Sequence, residues 1–488
     1  MSGGSRSARR AVARSTATLL LWVLPAIAQI GPAGQPLPSA PATSAAGQAG
    51  SGSPEPAPSA GLRERQDLLD DPGGLRTLVG NYGISLGLTE TSEVLGNVTG
   101  GVRRGFEYTG VTSVTLDLDT EKAFAWAGGS FHASALQIHG RDLSTDNLVV
   151  LQTISTIDAS RSTRLWELWY QQTLSGDDAD FKFGQQSLDQ EFFINDDSGV
   201  FLNGWPALLD EDLYAGGPIY PLSSLGVRLR AKPSSALTVL AGVFDDNPPG
   251  GPFYDDSELR DGEASGTRFN LGTGALFIGE IQIAVARPPL ATGPRADLPG
   301  IYKLGAWFDT GRFPDQRFDT ADLSLASPGS TGLARRHRGN FSIYGLIDQG
   351  VWHAQNGPRS LAVFARVMGA PDDRNLVDWI LNAGINVKAP LSGRENDVFA
   401  LGYNWAHVSG RASDLDRNIA VFTGTAFPIR SAEHCIELTY QYQVAPWWQL
   451  QPDVQYVVNP GGGIPNPLDP LRRLGNELVL GVRAIFTF

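Results

Sequence analysis

The sequence predicts a closed transmembrane β-barrel of antiparallel strands, about sixteen in number. Three observations carry that prediction. The chain ends on an alternating strand, Leu478–Phe488, whose last residue is aromatic. A short apolar stretch behind a basic start opens the chain, as in an exported protein. Between them lie many alternating segments and no run of about 18 apolar residues of the kind a membrane helix needs.

The N-terminus comes first. Arg6, Arg9, Arg10 and Arg14 form a basic region, Thr18 to Ile27 is apolar, and Ala26-Ile27-Ala28 offers a small-x-small cleavage site. Residues 1–28 therefore read as a Sec signal peptide cleaved after Ala28, too short to span a bilayer. From Gln29 to Gly61 the chain is almost entirely Pro, Ala, Gly, Ser and Thr. Such a stretch buries too little apolar surface to offset its ordering entropy, so residues 29–74 read as a periplasmic linker. Within it Leu62–Leu69 is expected to form a short helix.

The barrel is expected over 75–488. Val114, Leu116 and Leu118 oppose Ser113, Thr115, Asp117 and Asp119, and Ile436, Leu438, Tyr440 and Tyr442 oppose Cys435, Glu437, Thr439 and Gln441. Successive side chains on a strand point to opposite faces, so each segment has one apolar and one polar side. A soluble sandwich shows the same period. The leader, the terminal Phe488 and the aromatics near strand ends (Trp405, Tyr440, Tyr442, Tyr456) favour lipid outside and water inside. Pro452 donates no ladder hydrogen bond and is expected at a strand start or bulge.

Composition narrows the function. A net charge of −13 argues against a nucleic-acid partner, and the single Cys435 permits no internal disulfide. The six histidines show no metal-ligand spacing, and no nucleotide-binding fingerprint stands in a suitable context. Gly83-Ile84-Ser85-Leu86-Gly87 matches a hydrolase elbow, but in strand-like surroundings with no helix to follow. Asp245-Asp246 and Asp255-Asp256 read as solvated outer loops, and Trp447-Trp448 as interfacial belt or turn packing.

The lumen side supplies candidate functional residues. Arg228 and Arg230 share one face of their strand, and Val227 and Leu229 the other. Arginines at mid-depth are costly against lipid, which turns the pair inward. Glu167 and Trp169 share a face opposite Trp166, Leu168 and Tyr170. Asp348, Arg366 and Glu437 are further charges in alternating strands. The segment Asp189–Pro206 reads as a loop that folds into the barrel, bringing Asp189, Glu191, Asn203 or Trp205 to a constriction. Inward arginines and carboxylates either meet a passing solute or brace one another.

Ordered blocks along the chain carry a resemblance. They include Gln137-Ile138-His139-Gly140, Leu165-Trp166-Glu167-Leu168-Trp169-Tyr170, Gly204-Trp205-Pro206-Ala207 and Gly216-Gly217-Pro218-Ile219-Tyr220-Pro221. Val363-Phe364-Ala365-Arg366, Ala445-Pro446-Trp447-Trp448 and Gln451-Pro452-Asp453-Val454-Gln455-Tyr456 follow. In these the chain resembles the carbohydrate-selective porins of the OprB type. The resemblance implies a sixteen-stranded outer-membrane barrel that admits glucose and other small sugars by diffusion, without cofactor, metal or catalytic residue. Its surroundings would be outer-membrane lipid and lipopolysaccharide, and its state a monomer or homotrimer. A general porin, or an outer-membrane barrel hydrolase using Ser85, are the alternatives.

Overall fold

The computed structural model describes residues 62, 65–174, 176–204, 217–250, 264–286 and 298–488. The expected leader and the linker up to Gly61 lie outside the described residues, as do Trp205 and Asp255-Asp256.

Sixteen antiparallel strands close into one barrel: β1 (Ile84–Thr99), β2 (Gly105–Asp119), β3 (Gly129–Gly140), β4 (Ser162–Leu174), β5 (Ala179–Gln186), β6 (Ser224–Ser234), β7 (Leu237–Phe244), β8 (Leu276–Val285), β9 (Gly300–Asp319), β10 (Ala334–His353), β11 (Ser360–Gly369), β12 (Val377–Lys388), β13 (Val398–Val408), β14 (Ala432–Ala445), β15 (Trp448–Val458) and β18 (Glu477–Thr487). A small hairpin, β16 (Pro465–Asn466) with β17 (Asp469–Arg473), stands apart. None of the described helices is long and apolar enough to cross a membrane.

The C-terminal strand closes the barrel against β1, from Thr89 opposite Thr487 to Thr99 opposite Leu478. Its alternation falls as the sequence predicts: Val482 faces outward, while Glu477, Val479 and Arg483 are buried inside. The chain ahead of β1 is tied to this seam. The Leu68 amide donates to Thr487 O (2.9 Å), the Trp447 indole to Leu62 O (2.7 Å), and Arg76 bridges Asp67 and the Phe488 carbonyl oxygen. The expected helix at Leu62–Leu69 does not form among the described residues, which bend there; the short helix is Leu75–Gly80. Leu68 spends its amide on the barrel rim, which a helix there would not allow.

Pro452 departs from expectation too. It sits inside β15 opposite Val482, at neither a strand start nor a bulge. The ladder to β14 lapses between Thr439–Asp453 and Tyr442–Leu450 without a change of register. The barrel therefore tolerates the missing donor by forgoing bonds on one side only.

Connections on the rim that holds the C-terminus include 235–236 and 446–447, whereas the opposite rim carries 141–161, 187–223, 245–275 and 409–431. Two of these long connections turn inward. Leu148, Leu151, Ile154, Leu188, Phe192, Phe193, Phe201 and Leu202 are buried, packed on inward residues such as Leu240, Phe244, Ile278, Trp307, Tyr344, Phe364 and Met368. Each fully buried large apolar side chain contributes roughly 1.5–3 kcal/mol, so these loops are docked, not merely draped.

Candidate functional site

The lumen site is built from the inward positions of β3–β6 and the first turn of the 187–223 loop. On β5, Asp180 and Lys182 point inward while Phe181 and Phe183 alternate with them; on β6, Arg228 is buried between outward Val227 and Leu229. Arg228 bridges two carboxylates. It pairs with Asp180 on its own wall and reaches Glu191 of the loop through Nε (2.5 Å) and Nη2 (3.0 Å). Arg230 shares Asp180, and Lys182 shares Glu191. Three cations thus face two carboxylates within one network, an arrangement that offsets the desolvation each would suffer alone.

Glu167 lies beside this network and accepts the Ser187 amide (3.0 Å), with His132 Nε2 3.8 Å away. Trp169 is sandwiched. The His132 ring stacks on it at 4.9 Å from β3, and Lys182 Nζ lies 4.5 Å from its centroid from β5. Neighbours on both flanks cover its ring, so it braces the charged wall instead of offering an open platform. Gln171, Glu191, Arg228, Arg230, Lys232 and Gln282 border a recess of about 460 Å³ with Thr238 and Leu240.

One assignment of face changes. A register shift between Ala133 and Ala135 lets β4 turn both Trp166 and Glu167 inward, and Trp166 packs edge-on against Tyr220 at 6.0 Å. Alternation predicts Trp166 outward; the bulge reverses it.

The remaining candidates lie elsewhere, and their partners are backbone groups of the in-folded loops. Glu437 accepts the amides of Leu202 (2.6 Å) and Asn203 (3.1 Å). Asp348 accepts the Asp197 amide (3.2 Å) and the Asn195 side chain (3.1 Å), and Arg366 donates to Phe193 O (3.0 Å). Asn203 is itself fully buried, donating to Gln455 (3.1 Å) and accepting from Asn404 (2.8 Å). The wall extends this pattern to residues that sequence reasoning misses. Glu280 takes the Phe193 amide (2.8 Å), and Glu433 those of Leu151 and Gln152 (both 2.8 Å). Each is an inward carboxylate in an alternating strand, which is the signal that could have found it. Buried loop amides need acceptors, and the wall carboxylates supply them.

Asp189 completes the loop's root. It accepts the Ser187 hydroxyl (2.6 Å) and the Tyr220 amide (3.1 Å). Burial pushes its carboxyl up to about 7, against these hydrogen bonds and that of Gln190, which favour the charged form. Below its unfolded value near 4 the group is protonated in both states and adds no penalty. As pH rises from there to about 7 the docked loop loses stability, because the unfolded segment ionises first. Channel noise from loop opening is therefore expected to grow between pH 4 and 7 in bilayer recordings. Asp189→Asn is expected to flatten that profile; an unchanged profile would rule Asp189 out as its source.

Ser85 lies within β1, opposite Asp117, so the strand-to-helix turn of a hydrolase elbow is missing there. Asp245 and Asp246 are buried instead of solvated, held by Thr273 (3.4 and 2.7 Å) and, for Asp245, Asn270 (3.3 Å). The neighbouring 264–275 segment folds over them, which sequence separation alone conceals.

Comparison with known proteins is consistent across the chain. The family described as "Carbohydrate-selective porin, OprB family" matches residues 103–488. Porin B of Pseudomonas aeruginosa is 25% identical over 448 residues, covering 85% of this chain and 90% of that protein. The putative porin QuiX of Acinetobacter baylyi is 23% identical over 433 residues, covering 82% and 90%. The high-pH structure of Pseudomonas putida OprB superposes with a TM-score of 0.74 at 23% identity, covering 87% of this chain and 99% of that one. That likeness establishes the shared sixteen-stranded fold.

Proposed function

The chain belongs to the OprB family of carbohydrate-selective porins, and from that premise we propose that it passes glucose and other small sugars by diffusion through the recess beside Arg228 and Glu191. Membership of a porin family makes it a transport channel of the bacterial outer membrane. In this reading the leader directs export and is cleaved after Ala28.

The observation that carries the reading is the charged network at the recess. Sugars present hydroxyls that both donate and accept, with weakly apolar C–H faces between them. Arg228, Arg230 and Lys182 offer donors, and Glu191, Glu167 and Asp180 offer acceptors, within one wall. A recess of about 460 Å³ falls within the roughly 300–1,000 Å³ of small-molecule sites. The charges already neutralise one another, so a sugar competes only for spare hydrogen-bonding positions. Weak binding of that kind lets a solute enter and leave.

The test is single-channel conductance of the refolded barrel in a planar bilayer, titrating glucose against a non-sugar polyol of similar size. Saturable block by glucose alone is expected. Equal, non-saturating effects of both solutes would reduce the protein to a general porin.

A further inference from the structure

We propose that the outward face of the β9–β10 hairpin, at Arg312, Arg336 and Arg338, binds the phosphates of lipopolysaccharide in the outer leaflet. Strands β9 and β10 run on past their neighbours: the ladder to β8 ends at Asp309 and that to β11 at Ile343. Beyond those points the hairpin stands on the rim of the long connections, which is the extracellular side of such barrels. Arg338 lies directly opposite Arg312, while Arg336 lies opposite Pro314 and donates through Nη1 to Arg312 O (3.2 Å). These four positions share one face, and the three arginines are exposed on it; the paired Phe313 and His337 turn the other way, with Phe313 buried.

Their height matches a lipid headgroup. Outward Phe308 and Phe341 pair across the two strands just below them, and Leu304, Ile343 and Ile347 continue the apolar face beneath. From Phe341 to the exposed Trp352 at the other end of β10 is about 36 Å of strand, or about 26 Å of depth at the usual tilt. The apolar band of an outer-membrane barrel is about 25 Å tall and edged by aromatic girdles, so the phenyl pair marks its upper edge. Arg338 stands three residues beyond Phe341, about 10 Å of strand and about 7 Å of height. The headgroup region is about 5–8 Å thick on each side of the hydrocarbon core.

The charge on this face is one-sided. Elsewhere in the hairpin arginines meet acids: Arg317 pairs with Asp414 (2.6 Å), and Arg335 with Asp315 (2.7 Å) and Asp322 (2.6 Å). The outward positions 312, 314, 336 and 338 hold three arginines and no acid, in a chain whose net charge is −13. Like charges set directly opposite on paired strands repel, so Arg312 and Arg338 gain when an anion lies against both. Guanidinium groups grip phosphate through paired N–H donors. A phosphate carried on a lipid is held at this height by its acyl chains, and those chains cover Phe308 and Phe341. A free phosphate ion gains neither advantage.

The site rests on the barrel's place in the outer membrane and not on sugar selection in its lumen. The test is native mass spectrometry of the full chain in detergent, titrated with bis-phosphorylated lipid A. Lipid retention is expected to fall at least tenfold in the double variant Arg312→Gln/Arg338→Gln, with a wild-type conductance step showing that the barrel is intact. Arg104→Gln/Arg141→Gln removes the same charge from exposed positions elsewhere on that rim and is expected to retain lipid as the wild type does. Undiminished retention in the first variant, or equal loss in both, would overturn the site. So would wild-type protein that retains dephosphorylated lipid A equally well, or that releases lipid A to an equal concentration of inorganic phosphate.

Discussion

Replacing Glu437 by alanine is expected to enlarge the pore and abolish glucose block. Its carboxylate is the acceptor for two consecutive amides, those of Leu202 and Asn203, at the end of the described part of the constricting loop. A typical hydrogen bond contributes about 0.5–1.5 kcal/mol net, and here both are lost together. Removing them also leaves two buried donors without a partner, in a site too enclosed for water to replace the carboxylate readily. Asn203 keeps its bonds to Asn404 and Gln455, so the loop is loosened at this point and not expelled from the lumen. Single-channel recordings should show a larger, noisier conductance. Glu437→Gln retains one acceptor oxygen and should fall between wild type and alanine. Unaltered conductance and block in the alanine variant would mean that apolar packing of Phe192, Phe193 and Phe201 holds the loop by itself.

Arg228→Gln is expected to raise the half-blocking glucose concentration tenfold or more, equivalent to about 1.4 kcal/mol. It should also shift the pore toward cations. The shift follows from charge: Asp180 and Glu191 lose the guanidinium that bridges them and, among the described residues, keep Arg230 and Lys182. The loss of block follows from geometry, since Arg228 fixes the loop carboxylate Glu191 against the wall beside the recess. Arg230→Gln serves as the comparison. That side chain is 30% exposed and among the described residues pairs only with Asp180, so its removal leaves Glu191 in place and should cost less. Measuring thermal stability beside block separates sugar contact from bracing. A variant that melts earlier but is blocked as before would make Arg228 a brace alone.

Much of the architecture was legible from residues close together in the chain. Alternation in Leu478–Phe488, in Ile436–Tyr442 and around Arg228 reports which side chains share a face, because a strand's period is two whatever surrounds it. Hence the barrel, its closing strand and the inward arginine pair came from sequence. Alternation fails where the strand is irregular: the bulge in β4 turns Trp166 to the lumen, and Pro452 rides inside β15 because one flank can lose its bonds. The larger gap concerns what an inward residue meets. Glu437, Asp348 and Arg366 look in sequence like Arg228, yet loop backbone occupies them. Glu437 and Asn203 stand 234 residues apart, and no local pattern encodes that encounter. Local periodicity fixes the face of a strand. Only the docking of distant loops, driven by buried Phe and Leu side chains and by amides in need of acceptors, decides which inward charges remain open to a solute.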